Sequence, residues 1–309
     1  MYDLIIIGGG AAALSAATYA LGKRLEVRII YQNLGGKSGW RQNLTGQEGA
    51  EQLPASDAVR SLERYISMQV GVTLHDGVTK VTRYGDGFQI ETFRNGTLEA
   101  HALIIATGAG PVRLDVPGAE ELLGQGLGYS VTTHSHLLEG KTSAVIGSTT
   151  RALRGAAELS RTAAKVYLII PNETNMVAPM INSLQQRPNV EVLVGYNVQE
   201  VVGPMNVEEL VISHAGKTRR LAVDAAFVDL GLIPHSEIVK GLVQTDDQGF
   251  IVIDGHNRTT LPGLFAAGDV TTAFGEQALI AAGDGARAAL SAYDYLLARA
   301  PQLEAEGAD

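Results

Sequence analysis

The sequence is 309 residues long with 45% hydrophobic and 18% charged side chains, enough for two domains with cores of their own and unlike a disordered chain. Its 33 acidic against 24 basic residues, a formal net charge of −9, argue against a polyanionic partner such as nucleic acid. Cysteine is absent, which excludes disulfides, thiolate metal sites and cysteine nucleophiles. No apolar run reaches the ~18 residues of a membrane span and no signal-peptide pattern opens the chain, so the expectation is a soluble, cytoplasmic protein.

The first elements form one unit. Residues 2–7, YDLIII, are a β-branched apolar run that predicts a strand buried on both faces of a parallel sheet. Gly8-Gly9-Gly10-Ala11-Ala12-Ala13 follows, then an alanine-rich helix to Leu21 and a second strand over 25–31. Strand, glycine turn, helix and strand in this order give the G-x-G-x-x-[G/A] pattern its meaning as a dinucleotide site. Gly8 permits the turn, Gly10 lets backbone approach a pyrophosphate, and Ala13 is small enough for helix to pack on strand. Tyr31 and Gln32 stand where an acidic ribose ligand is usual, and Glu26 comes too early.

Two more apolar strands end in glycine turns: 102–106, running into Thr107-Gly108-Ala109, and 264–267, running into Gly268-Asp269. Between them, residues 128–136 read GYSVTTHSH, with Ser130, Thr132, Thr133 and Ser135 beside His134 and His136. A second strand, turn and helix follows: strand 143–146, the turn Gly147-Ser148-Thr149-Thr150-Arg151-Ala152, a helix to about Ala164 and a strand over 166–170. Its middle glycine position holds Thr149, a β-branched residue that crowds a phosphate and stiffens the turn. A last helix near the carboxyl end carries Gly283 and Gly285, each costing roughly 1 kcal/mol against alanine, which predicts close packing there.

The turns at residues 8–13, 106–109 and 264–269 resemble the FAD-binding pattern of the two-dinucleotide-domain flavoproteins. Their order and spacing resemble low-molecular-weight thioredoxin reductase over nearly the whole chain. The resemblance implies an α/β fold of two Rossmann-like, three-layer domains, the second inserted in the first: an FAD domain over 1–113 and 241–309, and an NAD(P)H-like domain over 114–240. It implies FAD as cofactor, held by Gly8, Gly10, Ala11, Ala13, Gly35, Gly36, Lys37, Asn43, Val78, Ala106, Thr107, Gly108, Gly268, Asp269, Glu276, Gln277 and Ala278, with Gly46 in the flavin-side loop. Gln277 and Ala278 at the last helix's start would aim free N–H groups at the flavin pyrimidine, and Glu276, where the family commonly has a base, would oppose the same charge. Trp40 reads equally as a flavin cover or as core.

By the same resemblance, Ser130 and Thr133 take the two redox-cysteine positions and His134 that of the neighbouring acid. Hydroxyls cannot form a disulfide, so the dithiol relay of a thioredoxin reductase is absent. His134 is the candidate proton donor, against the plainer reading of a surface histidine. No third ligand accompanies His134 and His136, so no metal is expected. Thr149, and Ile170-Pro171-Asn172-Glu173 in place of a basic 2′-phosphate cluster, point to a degenerate NADPH site.

The expected function is an FAD oxidoreductase without dithiol chemistry, reduced by ferredoxin, flavodoxin or a small molecule, and a homodimer by resemblance. Arg151, Arg154, Arg161 and Lys165 are candidates for a basic docking patch. The alternatives are a weak NADH-dependent diaphorase, resting on Gly147 and Glu173, and a non-catalytic flavin scaffold or redox sensor. A second nucleotide or flavin in the vacated nicotinamide pocket is also open.

Overall fold

The structure, a computed structural model, describes residues 1–39, 54–171 and 178–306. Trp40, Asn43, Gly46, Asn172 and Glu173 lie outside the described residues. The described chain divides into two compact units, one comprising 1–39, 54–110 and 233–306 and the other 111–171 and 178–232.

The first unit is built on a seven-stranded sheet. Tyr2–Ile7 lies at its centre, parallel to Val27–Tyr31 on one side and to Thr97–Ile105 on the other. Thr73–His75 extends the parallel part beyond Val27–Tyr31, Leu264–Ala266 pairs parallel to Thr97–Ile105, and Gly87–Thr92 and Val78–Tyr84 complete the sheet antiparallel. The unbroken apolar run of the first strand follows from its position between two layers. Leu4 and Ile6 pack into one core with the helices Ala11–Gly22 and Ala278–Glu306, while Ile5 and Ile7 pack into another with Phe88, Ile90, Val239 and Ile251.

The second unit repeats the logic with five parallel strands, in the order Val190–Val194, Lys165–Ile170, Thr142–Ile146, Ala225–Val228 and Leu127–Gly128. Val145, Leu168 and Ile170 face the helices Thr150–Leu159 and Ala178–Gln185. Ala144, Ile146 and Ile169 face the opposite way, into a core shared with the antiparallel strands Asn197–Val202, Glu209–His214 and Lys217–Ala222. Two layered α/β units, each built on parallel strands covered by helices, are the Rossmann-like architecture.

The alanines of the first helix let the last helix approach its backbone. A Cβ on Gly285 would lie 2.0 Å from the Ala12 carbonyl oxygen, whereas a Cβ on Gly283 would meet nothing within 4 Å. Close packing accounts for Gly285 and not for Gly283. We predict that Gly285→Ala lowers unfolding stability by about 1–3 kcal/mol through overpacking. Gly283→Ala, in contrast, raises it by up to roughly 1 kcal/mol through helix propensity. Urea titration of the two variants checks the contrast.

Candidate functional site

The register of the first sheet brings its glycine turns to one edge. Ile7 pairs with Ile30 and Ile105, and Ile105 with Ala266, so the turns that follow these strands leave the sheet side by side. Contacts between the turns are backbone to backbone. A Cβ on Gly8, whose φ is 131°, would lie 2.1 Å from the Ala106 carbonyl oxygen, and one on Gly36, whose φ is 57°, would lie 2.9 Å from the Gly10 Cα. Gly268 rests on Ala12 and Ala281, with Cβ positions at 3.1 and 3.3 Å.

Against this crowding, a Cβ on Gly10 would meet nothing within 4 Å. Gly10 caps the helix Ala11–Gly22 and offers its orphan N–H groups no side-chain acceptor. The helix start, which includes Ala11 and Ala13, is thus a cradle of donors at the positive end of a dipole, the arrangement that receives phosphate. Lys37 reaches over from the neighbouring turn to Asp269 at 2.6 Å. These groups fit FAD: amide donors for its diphosphate, and a carboxylate and an ammonium for its hydroxyls and charge.

Thr107 and Gly108 are fixed by a residue far along the chain. The Thr107 hydroxyl donates to the His235 carbonyl at 2.6 Å, the His235 N–H donates to the Gly108 carbonyl at 2.9 Å, and His235 Nδ1 donates to the Thr107 carbonyl at 3.1 Å. Sequence reasoning missed His235, because nothing in Leu232-Ile233-Pro234-His235 announces a partner in another turn. It missed Asp284 too, a buried carboxylate beside Gly268 and Asp269. Burial pushes its carboxyl up, and the adjacent Arg287 at 3.1 Å pulls the other way.

Val78 opens the strand Val78–Tyr84 and is half-buried. Glu276 and Gln277 are exposed, just before the last helix. The Gln277 N–H is not free, since it donates to the Gly275 carbonyl at 3.1 Å. This corrects the expectation that both residues present open N–H groups: Gln277 supplies the carbonyl that takes the Ala281 N–H at 2.9 Å.

In the second unit the corresponding turn is arranged differently. Thr149 caps the helix Thr150–Leu159, its hydroxyl accepting the Ala152 N–H at 3.0 Å and donating to Asp229 at 2.9 Å. Arg151 and Lys165, two of the candidate basic docking residues, are held in ion pairs with Asp229 at 2.5 Å and Glu191 at 3.0 Å.

The hydroxyl-rich segment forms two sets of bonds. Ser130 Oγ and Thr133 Oγ1 share a hydrogen bond at 2.8 Å. Thr132 and Ser135 both donate to Glu158, at 3.0 and 2.6 Å, fastening the short helix Val131–His134 onto Thr150–Leu159. His134 Nδ1 donates to the Ser130 carbonyl at 3.0 Å, and its ring stacks on buried Phe227 with centroids 6.4 Å apart. Burial holds this imidazole below its ordinary 6.5, with the Ser130 carbonyl opposing the shift and His136 adding to it. Among the described residues, no group of three or more histidine or acidic side chains is placed to hold a metal ion, and no helix is long and apolar enough to cross a membrane.

Residues 2–286 match the family described as pyridine nucleotide-disulphide oxidoreductase. The chain belongs to this family. It is 32% identical over 304 residues to a component of the alkyl hydroperoxide reductase of Staphylococcus aureus, a match covering 96% of this chain and 59% of that protein. The same component in Pseudomonas aeruginosa is 31% identical, with 96% and 58% covered. The chain thus spans less than two thirds of the length of these curated relatives. Among solved structures, thioredoxin reductase from Streptococcus pyogenes superposes with a TM-score of 0.85 at 29% identity, and that from Giardia duodenalis with 0.83 at 28%. Each match covers 96% of this chain and 99% of the other. FAD is the cofactor of these flavoproteins and of this chain, which is an oxidoreductase of thioredoxin reductase-like fold. With no cysteine in its sequence, it carries no dithiol chemistry of its own.

The depressed His134 pKa makes a stability prediction. Below pH 6.5 the unfolded chain binds a proton that the native imidazole resists, so this contribution is complete above about pH 6.5 and is lost as pH falls towards the native value. His134→Gln should therefore lose less stability than the unsubstituted protein between about pH 7 and about pH 5, as read by urea midpoints at each pH.

Proposed function

We propose that this chain is an FAD oxidoreductase whose flavin is reduced by a donor other than NADPH, either a small redox protein of the ferredoxin or flavodoxin kind or a small-molecule reductant. The unit comprising 1–39, 54–110 and 233–306 is the FAD domain, and the other is a degenerate NAD(P)H-like domain. The observation that carries this reading is Thr149. Its hydroxyl already takes an N–H at the helix start that a dinucleotide phosphate would need, and its Cβ stands where close backbone approach requires glycine.

Bound FAD supplies the store for an electron pair; the chain's residues hold and orient it. The amides at Gly10, Ala11 and Ala13 donate to the diphosphate, with Gly8, Gly35 and Gly36 keeping the turns close and Val78, Ala106, Thr107 and Gly108 lining the same edge. Lys37 and Asp269 meet the ribityl and phosphate groups, and Glu276, Gln277 and Ala278 border the ring. Asn43 completes the set by resemblance. His134 exchanges the proton that accompanies transfer to the acceptor. Its Nδ1 is spent on Ser130, so the exchange falls to Nε2. The protein acts as a homodimer in the cytoplasm.

The test is anaerobic. The purified protein is expected to be yellow. Its flavin band should bleach with reduced ferredoxin, flavodoxin or a small reductant and persist with NADPH. Rapid bleaching by micromolar NADPH would overturn the donor assignment. Saturable reduction by NADH would favour a diaphorase, and a flavin that no donor reduces would favour a sensor or scaffold. Colourless protein that takes up no FAD would remove the basis of all three.

A further inference from the structure

A charge pair of the second unit, its carboxylate buried and its guanidinium partly exposed, lies beside the glycine turn. Asp229 follows the strand Ala225–Val228, which neighbours Thr142–Ile146 in the sheet, and its N–H donates to the Ile146 carbonyl at 2.7 Å. Its own carbonyl oxygen would lie 1.9 Å from a Cβ on Gly147, so turn and aspartate are locked backbone to backbone. The side chain is 8% exposed. Its carboxylate accepts from the Thr149 hydroxyl at 2.9 Å, from Arg151 Nε at 2.5 Å and from Arg151 Nη2 at 2.9 Å.

In an open parallel sheet, ligands bind beyond the carboxyl ends of the strands, and a dinucleotide rests its phosphates on the helix that follows the glycine turn. Here that place is served by an internal anion. Arg151, in the first turn of the helix and able to meet a phosphate with a planar fork, is engaged by both carboxylate oxygens. An incoming phosphate would also face the Asp229 charge in surroundings that screen it poorly.

We infer that Asp229 is the specificity-determining residue of the second unit: its carboxylate stands in for the phosphates of a dinucleotide and closes the turn to NADH and NADPH alike. The inference rests on the proposal that the flavin is reduced by a donor other than NADPH. It adds that the closure is electrostatic and local, and that Thr149 alone does not produce it.

The experiment uses the FAD-loaded protein with Asp229→Asn, Thr149→Gly and the double variant. Each is titrated by calorimetry with ADP-ribose, which carries the diphosphate but no electrons, and then with NADH while the flavin band is followed. The unsubstituted protein and Thr149→Gly should show no saturable ADP-ribose binding. Asp229→Asn should bind at least roughly tenfold more tightly than the unsubstituted protein, as expected when a charge-assisted contact is freed for a ligand, and the double variant more tightly still. Asp229→Asn as silent as the unsubstituted protein, or Thr149→Gly binding by itself, overturns the inference. Thermal unfolding and FAD content report whether Asp229→Asn keeps its fold; if it does not, Asp229→Ser takes its place and the Thr149→Gly arm still decides. Failure of the underlying reading appears separately, as reduction of the unsubstituted protein by NADPH.

Discussion

A helix that begins at the carboxyl end of a parallel strand carries N–H groups that no residue within the helix can accept, and they must find acceptors elsewhere. The two units meet this constraint in opposite ways. In the first, Gly10 supplies no side-chain acceptor, and a Cβ there would meet nothing within 4 Å. In the second, the chain supplies its own: the Thr149 hydroxyl takes the Ala152 N–H, and Asp229 binds both Thr149 and the arginine two residues beyond it. One architecture thus leaves one helix start without a side-chain cap and gives the other a threonine cap backed by a carboxylate, and the difference lies in a few side chains at equivalent points of the fold.

The open cradle is stiffened by contacts that leave little room for adjustment. Gly8 against Ala106, Gly36 against Gly10 and Gly268 against Ala12 put four separate stretches of chain within van der Waals contact, each at a position where a side chain would crowd its neighbour. Gly8, Gly36 and Gly268 also have positive φ, which other residues adopt only with strain. Rigidity of this kind lowers the ordering cost of binding a long, flexible cofactor. Charge beside the cradle is held in check as well. Burial favours the neutral form of Asp284 while Arg287 favours the ionised one, and Asp269 nearby is tied to Lys37.

Local order is legible in the sequence, and long-range pairing is not. The run YDLIII before Gly8, and residues 143–146 before Gly147, announce buried parallel strands because a strand covered on both faces has no polar face to alternate. The glycine spacing locates both turns, and the threonine at position 149 marks the second as altered. Asp229 lies 80 residues from Thr149 and His235 lies 128 from Thr107, separations at which spacing carries no information. The bonded Gln277 N–H escapes sequence reading for a related reason: a tight turn through Gly275 supplies an acceptor that helix periodicity does not encode. Gly283 and Gly285 look alike in sequence, and only the crossing of the first and last helices separates them.

The hydroxyl-rich segment is held together by its own side chains. Ser130 and Thr133 sit three residues apart on one turn and bond to each other. Oxygen in a hydroxyl cannot cycle through a disulfide, and the bond between these two stores no electrons. The neighbouring Thr132 and Ser135 turn outward to Glu158, which anchors the segment to the helix behind the altered turn. Thr132 and Ser135 therefore serve as fasteners, while Ser130 and Thr133 close on each other. Without cysteine, electrons held on the flavin have no disulfide route within this chain.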